Sequence, residues 1–443
     1  AMVLTTVDQA VYQAMRVPQG PVHLNCMFRE PLAPTPGEHD YTVYATGLAA
    51  WRDDPRPYTR YVPAKNRIDP GDIDRLWKGL REVERGLLVV GRLDTPNQAE
   101  AVQRLADQLG WPLLPDIGSQ MRLGQKESSH RLIGYYDQML GSDSFGAAHA
   151  PEAVLHIGGR PTSKRLSQFL ARSRPKPYIV VNATPFRLDP HHQVTHRIES
   201  DVTIFCRAFL EAIRAHPVAS AAASDWSAEW QQASRRAEAI LDDFFDEAHA
   251  LSEPLVARLL SHHLPEGHGL VLAGSMPIRD MDMYAVLDGP PAPVATNRGA
   301  SGIDGLVATA AGFSAGLEVP VTLLLGDLAL LHDLNSLALL GKRPVVLVVL
   351  NNDGGGIFHF LPIAEYADVF EPYFGTPHGF TFEAAAAMFG IAYHHASGPQ
   401  DFLQAYRTAG ERQTGTLIEV PTNRKTNHAL HRQILTHISE AVA

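Results

Sequence analysis

Three short polar stretches hold the residue types that could do chemistry, each following an apolar run: Gly274-Ser275, Gly326-Asp327 and Asn351-Asn352-Asp353-Gly354-Gly355-Gly356. Between Asp327 and Asn352 lie 24 residues, the length of one helix and one strand. A βαβ unit of that length returns the chain beside its start, so a carboxylate and an amide oxygen can meet at one sheet edge. Glycine permits close backbone approach, which makes Gly354 the natural donor of a third oxygen, its carbonyl. Such an all-oxygen set suits Mg²⁺ or Mn²⁺, which keep water and take further ligands from phosphates. Alone, Asp327 reads as a helix cap and Asn351-Asn352 as a turn. Their spacing together with the glycines points to a metal-held diphosphate.

Other candidate motifs carry less. His192 and His196 are spaced like a metal pair, with Asp189 and His191 nearby, and His262, His263, Glu266 and His268 cluster. Neither group sits on a convincing helix with a third ligand and a base, so surface or capping roles are expected. Gly159-Arg160-Pro161-Thr162-Ser163-Lys164 lacks the second glycine of a phosphate loop, and no G-x-S-x-G nucleophile elbow occurs.

The elements that must position these residues follow from length and pattern. A chain of 443 residues accommodates two or three domains. Its formal charge of −10 argues against nucleic-acid binding, which needs a basic surface. With 45% hydrophobic and 19% charged residues, sizeable cores are expected. Apolar runs such as Pro344 to Leu350 are too short for a bilayer, and no signal peptide is evident, so no membrane and a cytoplasmic location are expected. Cys26 and Cys206 are too few for a disulfide framework.

Val7 to Met15 reads as a helix, Pro21 to Asn25 as a strand and Glu30 to His39 as a proline-rich linker. Strands are expected at Gly86 to Gly91, Trp111 to Leu114, Ala153 to Gly159 and Tyr178 to Val181, with helices at Asn97 to Leu109 and Ser163 to Leu170. A helical stretch from Asp225 to His249 leads to a second alternating region. There, strands are expected at Leu270 to Ser275, Val321 to Asp327, Val345 to Leu350 and Thr416 to Val420, and helices at Gly305 to Ala315, Asp333 to Leu340 and Phe382 to Phe389. The alternation predicts an α/β fold of parallel βαβ units, whose ligands sit at the carboxyl ends of the strands.

Gly326-Asp327 followed by Asn352 resembles the thiamine-diphosphate motif of the decarboxylase and transketolase superfamily, with Leu328 where that motif often has glycine. Asn297-Arg298-Gly299-Ala300-Ser301-Gly302-Ile303-Asp304-Gly305, His332-Asp333-Leu334-Asn335 and Asn351 to Phe358 resemble one branch, the 2-succinyl-5-enolpyruvyl-6-hydroxy-3-cyclohexene-1-carboxylate synthases of menaquinone biosynthesis. Ser163-Lys164-Arg165-Leu166, Leu188 to His192, Gly20 to Asn25 and Glu30-Pro31-Leu32 extend the resemblance over nearly the whole chain. It implies a thiamine-diphosphate-binding fold, with a remnant of a pyrimidine-binding domain at 1–34 and a linker at 35–70. A central transhydrogenase-like domain would span 71–224, a connecting helix 225–252 and a diphosphate-binding domain 253–443.

The implied reaction decarboxylates 2-oxoglutarate on thiamine diphosphate and adds the product carbanion to isochorismate. Asp327, Asn352 and the Gly354 carbonyl would hold the metal; Ser301, Gly302, Ile303, Gly326, Leu328 and Gly355 would complete the cofactor site, Ile303 as a stiff pedestal beneath it. Ser275, Arg279 and Arg298 would anchor substrate carboxylates, for which arginine's planar fork is suited. Lys164 and Arg165 match positions near the second substrate, and Ile357, Phe358 and Leu361 would form an apolar wall. The family's activating glutamate belongs to the pyrimidine-binding domain, and Glu30 does not match it. The expectation is therefore a truncated chain without catalytic glutamate, weakly active or inactive, from an enzyme that is a homodimer or homotetramer. Another thiamine-diphosphate-dependent 2-oxo-acid decarboxylase or carboligase, or a non-catalytic cofactor-binding module, remain the alternatives.

Overall fold

The computed structural model describes residues 1–443 except 31, 34–36, 38–39, 55, 126–130, 218–224, 247 and 300–301. Strands β1 (Gly86–Val90), β2 (Leu113–Pro115), β3 (Ala153–Ile157), β4 (Tyr178–Asn182) and β5 (His196–Glu199) form a five-stranded sheet in the order β2-β1-β3-β4-β5. Strands β6 (Gly269–Leu272), β7 (Val294–Thr296), β8 (Val321–Gly326), β9 (Val345–Asn351), β10 (Ala392–His395) and β11 (Thr416–Pro421) form a six-stranded sheet in the order β10-β11-β9-β8-β6-β7. Every pairing between these strands is parallel. The central strands read as unbroken apolar runs because helices cover both faces.

Alternation divides each sheet between cores. Leu88, Val90, Leu155 and Ile157 face a core closed by the helices Pro96–Leu109 and Val202–Ala215. Leu323, Leu325, Leu347 and Val349 face another, beneath the helix Leu306–Leu317. The opposite faces, Leu87, Val89 and Val154 of the first sheet and Leu324, Val348 and Leu350 of the second, belong to one continuous core. The helix Asp225–Asp246 contributes Trp226, Trp230, Ala233, Ala237, Leu241 and Phe245 to it, a stripe at helical spacing. The two sheets are thus braced through shared apolar packing, which fixes the loops of one against the strand ends of the other.

Several elements depart from the sequence pattern. Pro21 to Asn25 forms no strand, and Val22 and Leu24 remain exposed. An alternating run pairs only where a sheet edge offers itself. The segment Leu334–Lys342 is a 3₁₀-helix rather than an α-helix, and its buried Leu337 and Leu340 are three apart, as that geometry requires. Met2–Met15 is helical from its start and buries none of its residues. His192 lies in a left-handed turn with φ 56°, while His196 opens β5, so that pair does not share a helix face. No helix among the described residues is long and apolar enough to cross a membrane.

Candidate active site at the strand ends

Chain order in the second sheet reverses between β6 and β8: β7 lies to one side of β6, and β8 and β9 to the other. The crevice above such a switch point is where open parallel sheets bind ligands. Ser275 follows β6, Asp327 follows β8 and Asn352 follows β9, so all three lie at that edge. The register pairs Gly326 with Leu350, which sets Asp327 and the 351–356 turn side by side.

Asp327 is 2% exposed. Its carboxylate accepts hydrogen bonds from Gly354 N at 2.9 Å and Leu328 N at 2.6 Å, and His378 Nε2 lies 3.2 Å away. Burial raises its pKa, an effect that the Gly354 and Leu328 amides and His378 oppose. The adjacent asparagines are each matched to a buried glutamate. Asn351 Nδ2 donates to Glu419 at 2.7 Å, while Asn352 Nδ2 donates to Glu253 Oε1 at 2.7 Å. The second bond leaves Asn352 Oδ1 buried and without a hydrogen-bond partner among the described residues.

Gly354 takes φ 128°, and an added Cβ would run into the Gly375 carbonyl oxygen. Gly355 N donates to that oxygen at 2.7 Å, docking the 371–376 segment on the turn. Gly354→Ala is therefore expected to cost about 2–3 kcal/mol, from strain and displacement of that segment. A urea unfolding curve checks it; an unchanged midpoint would show that the turn tolerates a side chain.

The donor chemistry at this edge is of a kind that fits a magnesium ion. Asp327 offers one buried carboxylate; among the described residues Asn352 offers an unpaired buried oxygen, and the Gly354 carbonyl accepts only Gly356 N, at 2.9 Å, keeping one lone pair. Among the described residues no group of three or more His, Cys, Asp or Glu forms a metal cluster. A set of one carboxylate and two neutral oxygens suits an ion that completes its shell with phosphate and water.

The neighbouring block is held by a residue that sequence reasoning did not single out for this role. Asp333 Oδ2 accepts from Val307 N at 2.6 Å and Ala308 N at 3.3 Å, capping the helix that follows Gly302-Ile303-Asp304-Gly305. Gly302 is exposed, Ile303 packs on the core below, and Ser301 lies outside the described residues. Asp333→Ala should cost about 1–2 kcal/mol and Asp333→Asn less, because an amide oxygen can still accept. Thermal melts of the two variants test this, and equal losses would deny the capping role.

Arg279 and Arg298 line a cavity of about 550 Å³ together with Arg160, Arg187 and His191 from the first sheet's loops and Lys164 at the start of the helix Lys164–Ser173. Burial, followed by the charge of Arg298, lowers the pKa of Arg279. Arg279 also donates to the Ser275 carbonyl, where Ser275 itself holds φ 67°. Arg165 is not among the residues lining this cavity; its guanidinium pairs with buried Asp137, which also accepts from Ser163 Oγ at 2.5 Å. Ile357 and Phe358 are partly buried and Leu361 is exposed; Phe358 stacks edge-on against Phe374, ring centroids 5.4 Å apart. Glu253 and His378, which touch Asn352 and Asp327, were missed because no local pattern marks them.

Fold and site together define a thiamine pyrophosphate enzyme: residues 42–272 match the middle domain of thiamine pyrophosphate enzymes, and residues 284–420 match their C-terminal TPP-binding domain. A solved protein of Mycobacterium smegmatis, provisionally assigned to the thiamin diphosphate-dependent enzymes, shares the fold with TM-score 0.63 at 18% identity, over 95% of this chain and 73% of its own. Among curated proteins, the 2-succinyl-5-enolpyruvyl-6-hydroxy-3-cyclohexene-1-carboxylate synthase of Rubrobacter xylanophilus is 52% identical over 98% of this chain and 74% of its own length. That of Salinibacter ruber is 47% identical over 100% and 74%, and that of Chlorobium phaeobacteroides 40% over 97% and 72%. The chain belongs to the 2-succinyl-5-enolpyruvyl-6-hydroxy-3-cyclohexene-1-carboxylate synthase family.

Proposed function

We propose that this chain acts in the thiamine diphosphate-dependent decarboxylation of 2-oxoglutarate and the transfer of the remaining four-carbon unit to isochorismate. The observation that carries the reading is the buried Asp327–Gly354 contact beside the unpaired Asn352 oxygen, at the edge of a thiamine pyrophosphate-binding domain. Bound thiamine diphosphate supplies the electron sink that decarboxylation and carbon–carbon bond formation need. Asp327, Asn352 and the Gly354 carbonyl would hold Mg²⁺ or Mn²⁺ against the diphosphate, with Gly326, Leu328 and Gly355 shaping the turn around it. Ser301, Gly302 and Ile303 would flank the rings of the cofactor.

Arg279 and Arg298 suit the carboxylates of both substrates, and Lys164 adds a further cation at the same cavity. Ile357, Phe358 and Leu361 would shield the reacting carbons from water. Arg165, its side chain one-third exposed and its guanidinium paired with Asp137, would lie near the second substrate, as would Lys164. The domain division at 71–224, 225–252 and 253–443 and a two-fold homo-oligomer belong to the same proposal. The test is carbon dioxide release from 2-oxoglutarate, with and without isochorismate, by protein supplied with thiamine diphosphate and Mg²⁺. Release that isochorismate accelerates, with formation of the named carboxylate, is the expected result for a full-length relative; this chain, in which no residue matches the family's activating glutamate, should release little or none. Release without any coupled product would favour a simple 2-oxo-acid decarboxylase.

A further inference from the structure

We propose that Glu253 is the positioning residue of the metal site, fixing the Asn352 amide so that its oxygen, not its nitrogen, is presented to the ion. The inference rests on the reading of Asn352 as a metal ligand. An amide has a donor end and an acceptor end of nearly the same shape, and only the oxygen can bind a cation. Something must therefore choose between two orientations that packing alone barely distinguishes.

Glu253 makes that choice by geometry. It is 1% exposed and occupies the first turn of the helix Glu253–His263, behind the capping residue Ser252. Its Oε1 accepts from Asn352 Nδ2 at 2.7 Å and from Thr422 Oγ1 at 3.3 Å. Two donors converge on one oxygen, so that oxygen is an acceptor whatever proton its neighbour carries. Asn352 Nδ2 is thereby committed to Glu253, and Oδ1 is left buried and unpaired. A buried amide oxygen without a partner is costly unless a ligand completes it. Glu253 also comes from far along the chain, 99 residues before Asn352, so its contact is not a by-product of local turn geometry. Residues that orient metal ligands in this way are commonly worth ten- to a hundredfold in metal affinity.

The experiment reads Mn²⁺ affinity by electron paramagnetic resonance in the presence of thiamine diphosphate, with a melting curve for each variant. Glu253→Leu removes the acceptor and is expected to weaken Mn²⁺ binding at least about tenfold, whereas Glu253→Gln keeps an acceptor oxygen and should stay within about threefold. The decisive arm measures the penalty of Glu253→Leu relative to Glu253→Gln in an Asn352→Asp background, since both variants equally remove the repulsion between two facing carboxylates there. A carboxylate has two equivalent oxygens, so orientation no longer matters and the penalty should vanish. An equal penalty in both backgrounds would mean that Glu253 only supports the fold, and overturns the proposal. So does a Glu253→Leu variant that binds Mn²⁺ normally while Asp327→Ala does not. Normal binding in both would overturn the metal site itself, and the role of Glu253 with it.

Discussion

Asp327→Ala is expected to weaken magnesium-dependent binding of thiamine diphosphate by more than about a hundredfold, close to 3 kcal/mol. Asp327 supplies the one carboxylate of the proposed donor set, and it is almost fully buried. A diphosphate brought to this strand end without a bound cation would meet that carboxylate's negative charge; with the cation in place the two charges share it. Removing the carboxylate removes the charged ligand and leaves the diphosphate uncompensated. The fold is not the casualty. Asp327→Asn keeps an acceptor for Gly354 N, which lies 2.9 Å away, and should melt close to the unmodified protein while losing most of the metal-dependent affinity. Calorimetric titration with thiamine diphosphate, with and without Mg²⁺, makes the comparison. Affinity that does not change in either variant would remove Asp327 from the metal site.

How much of this was legible in the sequence depends on where each partner lies. Strands β8 and β9 declare themselves as apolar runs because both of their faces are covered. The short β5, β7 and β10 lie at sheet edges, and β5 and β10 carry polar residues such as His196, Glu199, His394 and His395, so they give no comparable run. Asp327 and the Gly354 turn were readable because strand spacing alone brings them together. Glu253 and His378 were not, since they reach their partners across 99 and 51 residues; Asp333 is only 26 residues from Val307, but it follows a helix, where no strand register sets what it faces. Only tertiary packing decides that a glutamate at one helix start faces an amide at a strand end. The pairing of Arg165 with Asp137, 28 residues apart, escaped because both lie on helices, where no strand register sets what they face.

In a full-length enzyme of this family, Arg279→Ala should lower kcat/KM for 2-oxoglutarate by about a hundredfold and for 2-oxobutyrate by less than about tenfold. The two substrates differ only in the distal carboxylate. Arg279 and Arg298 face one cavity, and the charge of Arg298 together with burial depresses the pKa of Arg279. Two guanidiniums held that close repel each other until an anion lies between them, so a dicarboxylate gains what a monocarboxylate cannot. Arg279→Lys keeps the charge but loses the planar fork, and should recover only part of the preference. A competing role is visible in the same side chain: Arg279 donates to the Ser275 carbonyl and could merely brace a turn with positive φ. Bracing affects both substrates alike, because neither touches that bond. Carbon dioxide release from the two 2-oxo acids therefore separates the roles, and equal losses would assign Arg279 to the turn and leave substrate choice to Arg298 and Lys164.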